Sequence, residues 1–122
     1  MSGIIGTSHS KSKVIGRSQD TAKAWANFDG TVGNPATIRD SYNVSSVSEA
    51  AQGRFTINFI NAMPNGNYVA VGSHNAWSVY NSWNNGGDFM VYDLVAGSFK
   101  IVTGQDGGYV DSEHISILVF GD

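Results

Sequence analysis

Apolar and polar side chains alternate without interruption along Arg54–Phe59, RFTINF, and this pattern constrains the fold more than any other feature of the chain. The apolar positions are Phe55, Ile57 and Phe59. They repeat with a period of two, as side chains do along a β-strand that is buried on one side only. The segment is therefore predicted to be a half-buried strand.

Similar short segments recur along the chain at spacings of about 8–12 residues, with Gly, Pro, Asn and Asp between them. The strand segments are Lys23–Phe28, Ala36–Val44, Phe55–Asn61, Tyr68–Gly72, Phe89–Leu94, Ser98–Thr103 and His114–Phe120. Within Ala36–Val44, the residues Ile38, Tyr42 and Val44 share one parity and are expected to share one face. We expect an all-β chain of about seven or eight strands, folded as an antiparallel, jelly-roll-like β-sandwich.

Two turns predict hairpins. Asn65-Gly66 is expected to join Phe55–Asn61 to Tyr68–Gly72. A second turn is expected to pair Phe89–Leu94 with Ser98–Thr103.

The chain divides into two parts of different composition. Residues 1–21 are rich in Ser, Gly and Lys and cannot bury enough apolar surface to fold alone, whereas residues 22–122 are expected to form a single β-sandwich knob domain. The first part contains two short apolar tags ten residues apart, and we interpret it as an extended anchoring arm whose tags enter pockets of a larger particle. The tags are Ile4, Ile5 and Gly6, followed by Val14, Ile15 and Gly16.

The predicted core of the knob domain consists of large apolar side chains on the early strands. They are Trp25, Phe28, Ile38, Phe55, Ile57 and Phe59. Replacement of Trp25 by Ala is expected to unfold the domain, because losing a buried Trp costs about 3–5 kcal/mol.

Charge and composition argue against several classes of function. The net charge of −3 leaves no broad basic surface for nucleic acid, and no apolar run reaches the length of a membrane span. The chain has no Cys, and its histidines, His9, His74 and His114, lack the spacing of metal ligands. The carboxylates are scattered over turns and strand ends without a local acid/base pair. We expect no enzyme activity, no cofactor and no metal.

Two groups of aromatic and apolar residues are candidate contact sites. Trp77, Tyr80 and Trp83 recur every three residues among Ser, Asn and Gly, a mixture that suits stacking on sugars or capping of the core. The last strand is apolar on both faces, so it is either central between two covered faces or lies against another subunit. We favour the subunit, which makes Leu118 and Phe120 the candidate trimer interface.

The segment from Ala22 to Ser73 carries an ordered series of short motifs. They are Lys23-Ala24-Trp25 with Phe28 and Gly30, Ile38-Arg39-Asp40-Ser41 with Asn43-Val44-Ser45-Ser46, Gly53 with Phe55-Thr56-Ile57 and Phe59, Ala62-Met63-Pro64, and Asn67-Tyr68. In this order the segment resembles a repeated module of virion structural proteins from tailed bacteriophages, especially tail-fibre-like proteins of phages that infect cyanobacteria and other marine bacteria. The resemblance implies a small β-structured knob that assembles as a homotrimer.

The resemblance and the two-part chain together predict a non-enzymatic virion protein, assembled in the host cytoplasm and released by lysis. Its partners would be two further copies of itself and a larger capsid or tail protein, with a host surface glycan as a further contact. In the capsid it would act as a decoration or cement protein, and in the tail as a fibre-like component for host attachment. The alternative is a stand-alone carbohydrate-binding module, lectin-like, that uses Trp77, Tyr80 and Trp83.

Overall fold

The computed structural model of the protein describes residues 21–75, 87–105 and 107–121. Regular structure in these ranges consists of nine strands and no helix, which confirms the all-β prediction. The strands are β1 (Ala22–Asp29), β2 (Thr37–Tyr42), β3 (Val44–Ala51), β4 (Arg54–Phe59), β5 (Val69–His74), β6 (Gly87–Val95), β7 (Ser98–Gln105), β8 (Gly108–Tyr109) and β9 (Ile115–Phe120).

Two antiparallel sheets share one core, as predicted for a β-sandwich. Sheet I has four strands in the order β2-β1-β9-β5, and sheet II has the order β3-β4-β7-β6 with β8 paired to β7. The predicted hairpin between Phe89–Leu94 and Ser98–Thr103 is confirmed, since β6 pairs with β7.

The other predicted hairpin is wrong, because β4 and β5 lie in different sheets. β4 pairs with β3 and β7, while β5 pairs with β9. Gly66 does not join β4 to β5 in a hairpin. It lets the backbone pass close to the end of β6, since a Cβ on Gly66 would collide with the carbonyl oxygen of Leu94. The chain between β4 and β5 therefore crosses from sheet II to sheet I.

The shared face expected of Ile38, Tyr42 and Val44 is also wrong. The register between β1 and β2 shifts by one residue between Asn27 and Phe28, so Ile38 lies opposite the buried Phe28 while Tyr42 lies opposite Trp25. The chain then changes sheet at Asn43. This residue has a φ of 58° and separates β2 from β3, so Tyr42 is exposed on sheet I and Val44 is buried beneath sheet II. The Asn43 side chain holds the crossover, with Nδ2 donating to the carbonyl of Lys23 at 3.0 Å and Oδ1 accepting from the Asn61 amide at 2.7 Å.

The core lies between the inward faces of the two sheets. Of the predicted core residues, Phe28, Phe55, Ile57 and Phe59 are buried, and Ile38 is partly buried against them. The rings of Phe28 and Phe55 meet edge to face, with centroids 5.5 Å apart, and so join β1 of sheet I to β4 of sheet II.

The prediction that Trp25 is a core residue is wrong. The side chain of Trp25 is 36% exposed, and its neighbours Ala24 and Ala26 are the residues of β1 that point inward. Because side chains alternate along a strand, burial of the two alanines and of Phe28 places Trp25 on the outer face of sheet I.

Candidate functional site

The outer face of sheet I carries a row of large apolar side chains that crosses all four strands. Tyr42 of β2 lies opposite Trp25 of β1, Trp25 lies opposite Leu118 of β9, and Leu118 lies opposite Val71 of β5. The next positions add Phe120 of β9 opposite Val69 of β5. We call these residues the apolar face: Trp25, Tyr42, Val69, Val71, Leu118 and Phe120.

The apolar face is open to solvent in the single chain. Tyr42, Val69 and Val71 are each at least half exposed, at 55%, 60% and 50%, and Trp25 is 36% exposed. Leu118 and Phe120 are half-buried among them. Contiguous apolar surface of this kind on a small domain is a candidate contact surface.

A polar row borders the apolar face on the same side of sheet I. Asp40, Asn27, Ser116 and Ser73 lie opposite one another on the four strands. Asn27 Nδ2 donates to Ser116 Oγ at 2.9 Å, and Arg39 donates to Asn27 Oδ1 at 3.3 Å. These contacts engage Asn27 and Ser116 within the chain, and the polar row limits the apolar face to one half of the sheet.

The strand β9 explains why an apolar face forms here. It is central in sheet I, with Ile115, Ile117 and Val119 buried on its inner side. Leu118 and Phe120 point to the outer side, where the sequence analysis placed its candidate interface. Sequence reasoning missed the other members of the same face, which are Trp25, Tyr42, Val69 and Val71. For Trp25 the sequence did contain a signal, because the small residues Ala24 and Ala26 on either side of it point inward.

The outer face of sheet II differs, because most of its row is polar. Ser48, Thr56, Lys100 and Tyr92 lie opposite one another across β3, β4, β7 and β6. Lys100 Nζ donates to the carboxylate of Asp93 at 2.7 Å, and this contact raises the pKa of Lys100.

Among the described residues, His74 and Ser112 form a hydrogen-bonded pair of the kind that some hydrolases use. His74 Nδ1 lies 2.7 Å from Ser112 Oγ, and Nε2 lies 2.9 Å from the Asp88 carbonyl oxygen. Because a carbonyl can only accept, the neutral ring carries its proton on Nε2 and accepts the Ser112 hydroxyl at Nδ1. Ser112 is fully buried, so a substrate has no access to its hydroxyl. The pair links β5 of sheet I to β6 of sheet II.

A second polar cluster involves Glu49, which the sequence analysis did not single out. Burial, followed by the nearby Asp111 carboxyl, raises the pKa of Glu49. Asp111 Oδ1 accepts from the Gly53 amide at 2.7 Å, and Asn34 Oδ1 accepts from the Glu49 amide at 3.0 Å. The cluster orders the turn between β3 and β4, where Gly53 has a φ of 68°.

Residues 21–75, 87–105 and 107–121 contain neither a metal-ion cluster nor a membrane-spanning helix. In these ranges, no group of three or more His, Cys, Asp or Glu side chains converges in a way that would hold a metal ion. The same part of the chain contains no helix with the length and apolarity that a bilayer crossing requires.

Two groups of predicted site residues lie outside the described residues. They are the arm residues Ile4, Ile5, Gly6, Val14, Ile15 and Gly16, and the aromatic residues Trp77, Tyr80 and Trp83.

No family model, curated protein or solved structure matches the chain.

Proposed function

We propose that the protein is a non-enzymatic structural component of a tailed-bacteriophage virion. In this proposal residues 22–122 form a homotrimeric, jelly-roll-like knob, and residues 1–21 anchor the knob to a capsid or tail scaffold. The role is that of a capsid decoration or cement protein, or of a tail-fibre-like component that contacts host surface glycans. The motifs between Ala22 and Ser73 suggest the virion, and the apolar face suggests the assembly.

The apolar face is the single observation that carries the proposal. A four-strand row of exposed apolar side chains costs solvation free energy in an isolated domain, at about 25 cal/mol for each Å² left in water. Contact with a second copy would remove this cost. Closed assemblies of identical subunits are the common solution for such surfaces, and a trimer is the form that the resemblance implies.

The position of β1 beside the apolar face supports the anchoring arm. Ala22, the first residue of β1, lies opposite Phe120 at the edge of the apolar face. The arm therefore joins the knob beside the surface that would meet other copies. Three arms would leave one trimer together, and their combined binding would exceed that of one arm through effective concentration.

Substitutions in β9 test the assembly. Leu118→Asp is expected to convert trimers to monomers in analytical ultracentrifugation, because a carboxylate in an apolar contact is left without a partner. Ser116→Asp is the matched control, since Ser116 is an exposed outer-face residue of the same strand. A wild-type monomer at high micromolar concentration would contradict the assembly, as would an intact Leu118→Asp trimer.

Changes in the arm test the anchoring. The double change Ile4→Ser with Ile5→Ser keeps the length of the arm but removes one tag, and it is expected to reduce incorporation into particles. Deletion of residues 1–21 is expected to abolish it. The control replaces Ser8 and Ser10 with Ala. Normal incorporation of the deletion variant would show that the arm is not the anchor.

The second candidate function is the stand-alone carbohydrate-binding module. Its proposed contacts are Trp77, Tyr80 and Trp83, among polar residues that suit contact with a sugar. Trp77→Ala with Trp83→Ala tests these contacts: loss of glycan-array binding with unchanged particle incorporation assigns the three aromatic residues to glycans. Unchanged binding and unchanged host adsorption would remove them from consideration.

A further inference from the structure

A groove of about 690 Å³ opens at one end of sheet II, between β6, β7 and the short strand β8. It has no residue in common with the apolar face. The groove is lined by Asp88, Phe89, Met90, Val102, Gly104, Gly107, Gly108 and Tyr109. Its size lies within the range of about 300–1,000 Å³ that is typical of small-ligand sites.

Tyr109 supplies a flat aromatic wall that is 53% exposed. Its backbone is held by its neighbours: Gly104 of β7 lies opposite Tyr109, and the Val110 amide donates to the Thr103 carbonyl at 3.1 Å. The Thr103 hydroxyl donates in return to the Val110 carbonyl at 2.7 Å. A fixed ring of this kind offers contact area with little entropy to lose on binding.

Arg54 determines which ligands suit this ring. Its guanidinium lies over the Tyr109 ring, 4.5 Å from the centroid. The ring therefore already engages one cation, and a second cation would be repelled by Arg54. An anion such as a phosphate would meet the Asp88 carboxylate at the groove wall. A neutral ligand with an apolar face and several hydroxyls avoids both penalties.

We propose that the groove binds a neutral sugar unit of a glycan. The C–H face of the sugar would stack on Tyr109 and contact Met90 and Val102, while Asp88 accepts hydrogen bonds from the hydroxyls. Backbone groups at Gly104 and Gly108 line the groove without side chains, so a ligand can approach them closely. The inference rests on the proposed function for the source of the glycan, the host surface.

Gly108 offers a way to fill the groove without disturbing the fold. A Cβ at this position would meet nothing nearer than the Gln105 carbonyl oxygen, at 3.7 Å. Gly104 is different, because its Cβ would lie 2.7 Å from the Gly108 carbonyl oxygen and would displace β8. Gly108→Leu is therefore the blocking variant of choice, and Tyr109→Ala removes the aromatic wall.

The test uses the full chain on an array of neutral hexose and N-acetylhexosamine oligosaccharides, followed by calorimetric titration with the best-bound glycan. Tyr109→Ala and Gly108→Leu are each expected to weaken binding about tenfold or more, the equivalent of one lost stacking contact. Tyr92→Ala is the control, since Tyr92 lies on β6 of the same sheet but does not line the groove. It is expected to bind as the wild type does.

Three outcomes would overturn the inference. They are no binding to any neutral glycan on the array, wild-type affinity in both groove variants, and preference for a lysine-rich peptide over every sugar. If binding is lost in the Trp77 and Trp83 variants but kept in the groove variants, these tryptophans are the glycan contact and the groove is not. The groove variants are also tested for trimer formation and particle incorporation. If both are normal, a failure of the glycan-binding inference does not contradict the proposed anchoring role.

Discussion

The two faces of sheet I carry similar apolar side chains in different surroundings. The inner face presents Phe28, Ile115 and Ile117 to sheet II, and all three are buried. The outer face presents Trp25 and Leu118 opposite each other on β1 and β9, and no second sheet of the described residues covers them. Apolar character therefore predicts that a side chain is excluded from water. Its odd or even position along the strand decides whether it faces the other sheet or points outward, where only another molecule could bury it.

The largest expected effect comes from a substitution on the inner face. Phe28→Ala is expected to lower the free energy of unfolding by about 3–5 kcal/mol, because it opens a cavity and removes the edge-to-face contact with Phe55. Trp25→Ala is the outer-face counterpart on the same strand, and at low protein concentration it is expected to cost about 1 kcal/mol. Urea unfolding measures both.

The same pair of variants tests the difference between the faces at high protein concentration. If the outer face is an interface, the penalty of Trp25→Ala grows with concentration, whereas the penalty of Phe28→Ala does not. Equal penalties for the two variants at every concentration would mean that the faces do not differ in the way proposed.

The second expected effect concerns the boundary of the apolar face on β5. Val71→Asp is expected to raise the concentration needed for assembly about a hundredfold or more, because a buried, unpaired carboxylate costs several kcal/mol. Ser73→Asp changes the next outward position of the same strand, in the polar row, and is expected to leave assembly unchanged. Sedimentation velocity over a dilution series distinguishes them, and similar behaviour of the two variants would contradict the boundary.

The sequence predicted those parts of the fold that depend on local pattern. Alternation identified β4 and β9, and the hairpin of β6 with β7 followed from two adjacent strands with a short turn. Strand order was not available from the sequence, because β5 pairs with β9, about forty residues further along the chain, and not with its neighbour β4. Local alternation marks a strand, but its partner is chosen by packing across the whole domain.

The candidate site could also be predicted only in part from the local sequence pattern. Leu118 and Phe120 could be assigned to an outer surface because β9 is apolar on both sides. Trp25 could not, since a large ring in a strand is usually buried and only the burial of Ala24 and Ala26 reverses that expectation. Tyr42 joined the face because the register of β2 against β1 shifts between Ile38 and Asp40, and this irregularity in the pairing is not visible in the sequence.

The third expected effect concerns Tyr68, which lies just before β5 of sheet I and contacts the turn between β6 and β7 of sheet II. The Tyr68 hydroxyl is shared between the carbonyl oxygens of Val95 and Ser98, at 2.8 and 2.9 Å, and burial raises the pKa of Tyr68 to about 12. Tyr68→Phe leaves both carbonyls without this donor and is expected to cost about 1–2 kcal/mol. Tyr42→Phe is the control on the outer face, and an equal loss in it would contradict the assignment.

The smallest expected effect is the pH dependence of the link between the sheets at His74. Burial lowers the pKa of His74 below its ordinary value of 6.5, against the opposing influence of the Asp88 carbonyl. Below pH 6.5 the unfolded chain therefore binds more protons at this site than the folded chain does. The contribution of His74 is fully present above that pH and is lost as the pH falls towards the lower pKa of the folded state.

Thermal unfolding between pH 7.5 and pH 5 measures this contribution. His74→Gln is expected to flatten the decline in melting temperature over that interval, even if it lowers the melting temperature at both ends. His114→Gln is the control for a histidine outside the contact between the sheets: His114 is exposed just before β9, and its Nε2 lies 3.3 Å from the carboxylate of the neighbouring Glu113. A decline that is unchanged in His74→Gln would show that another group titrates. A flattened decline would show that this sheet contact, unlike the one at Tyr68, weakens with acid because burial disfavours the charged form of the His74 ring.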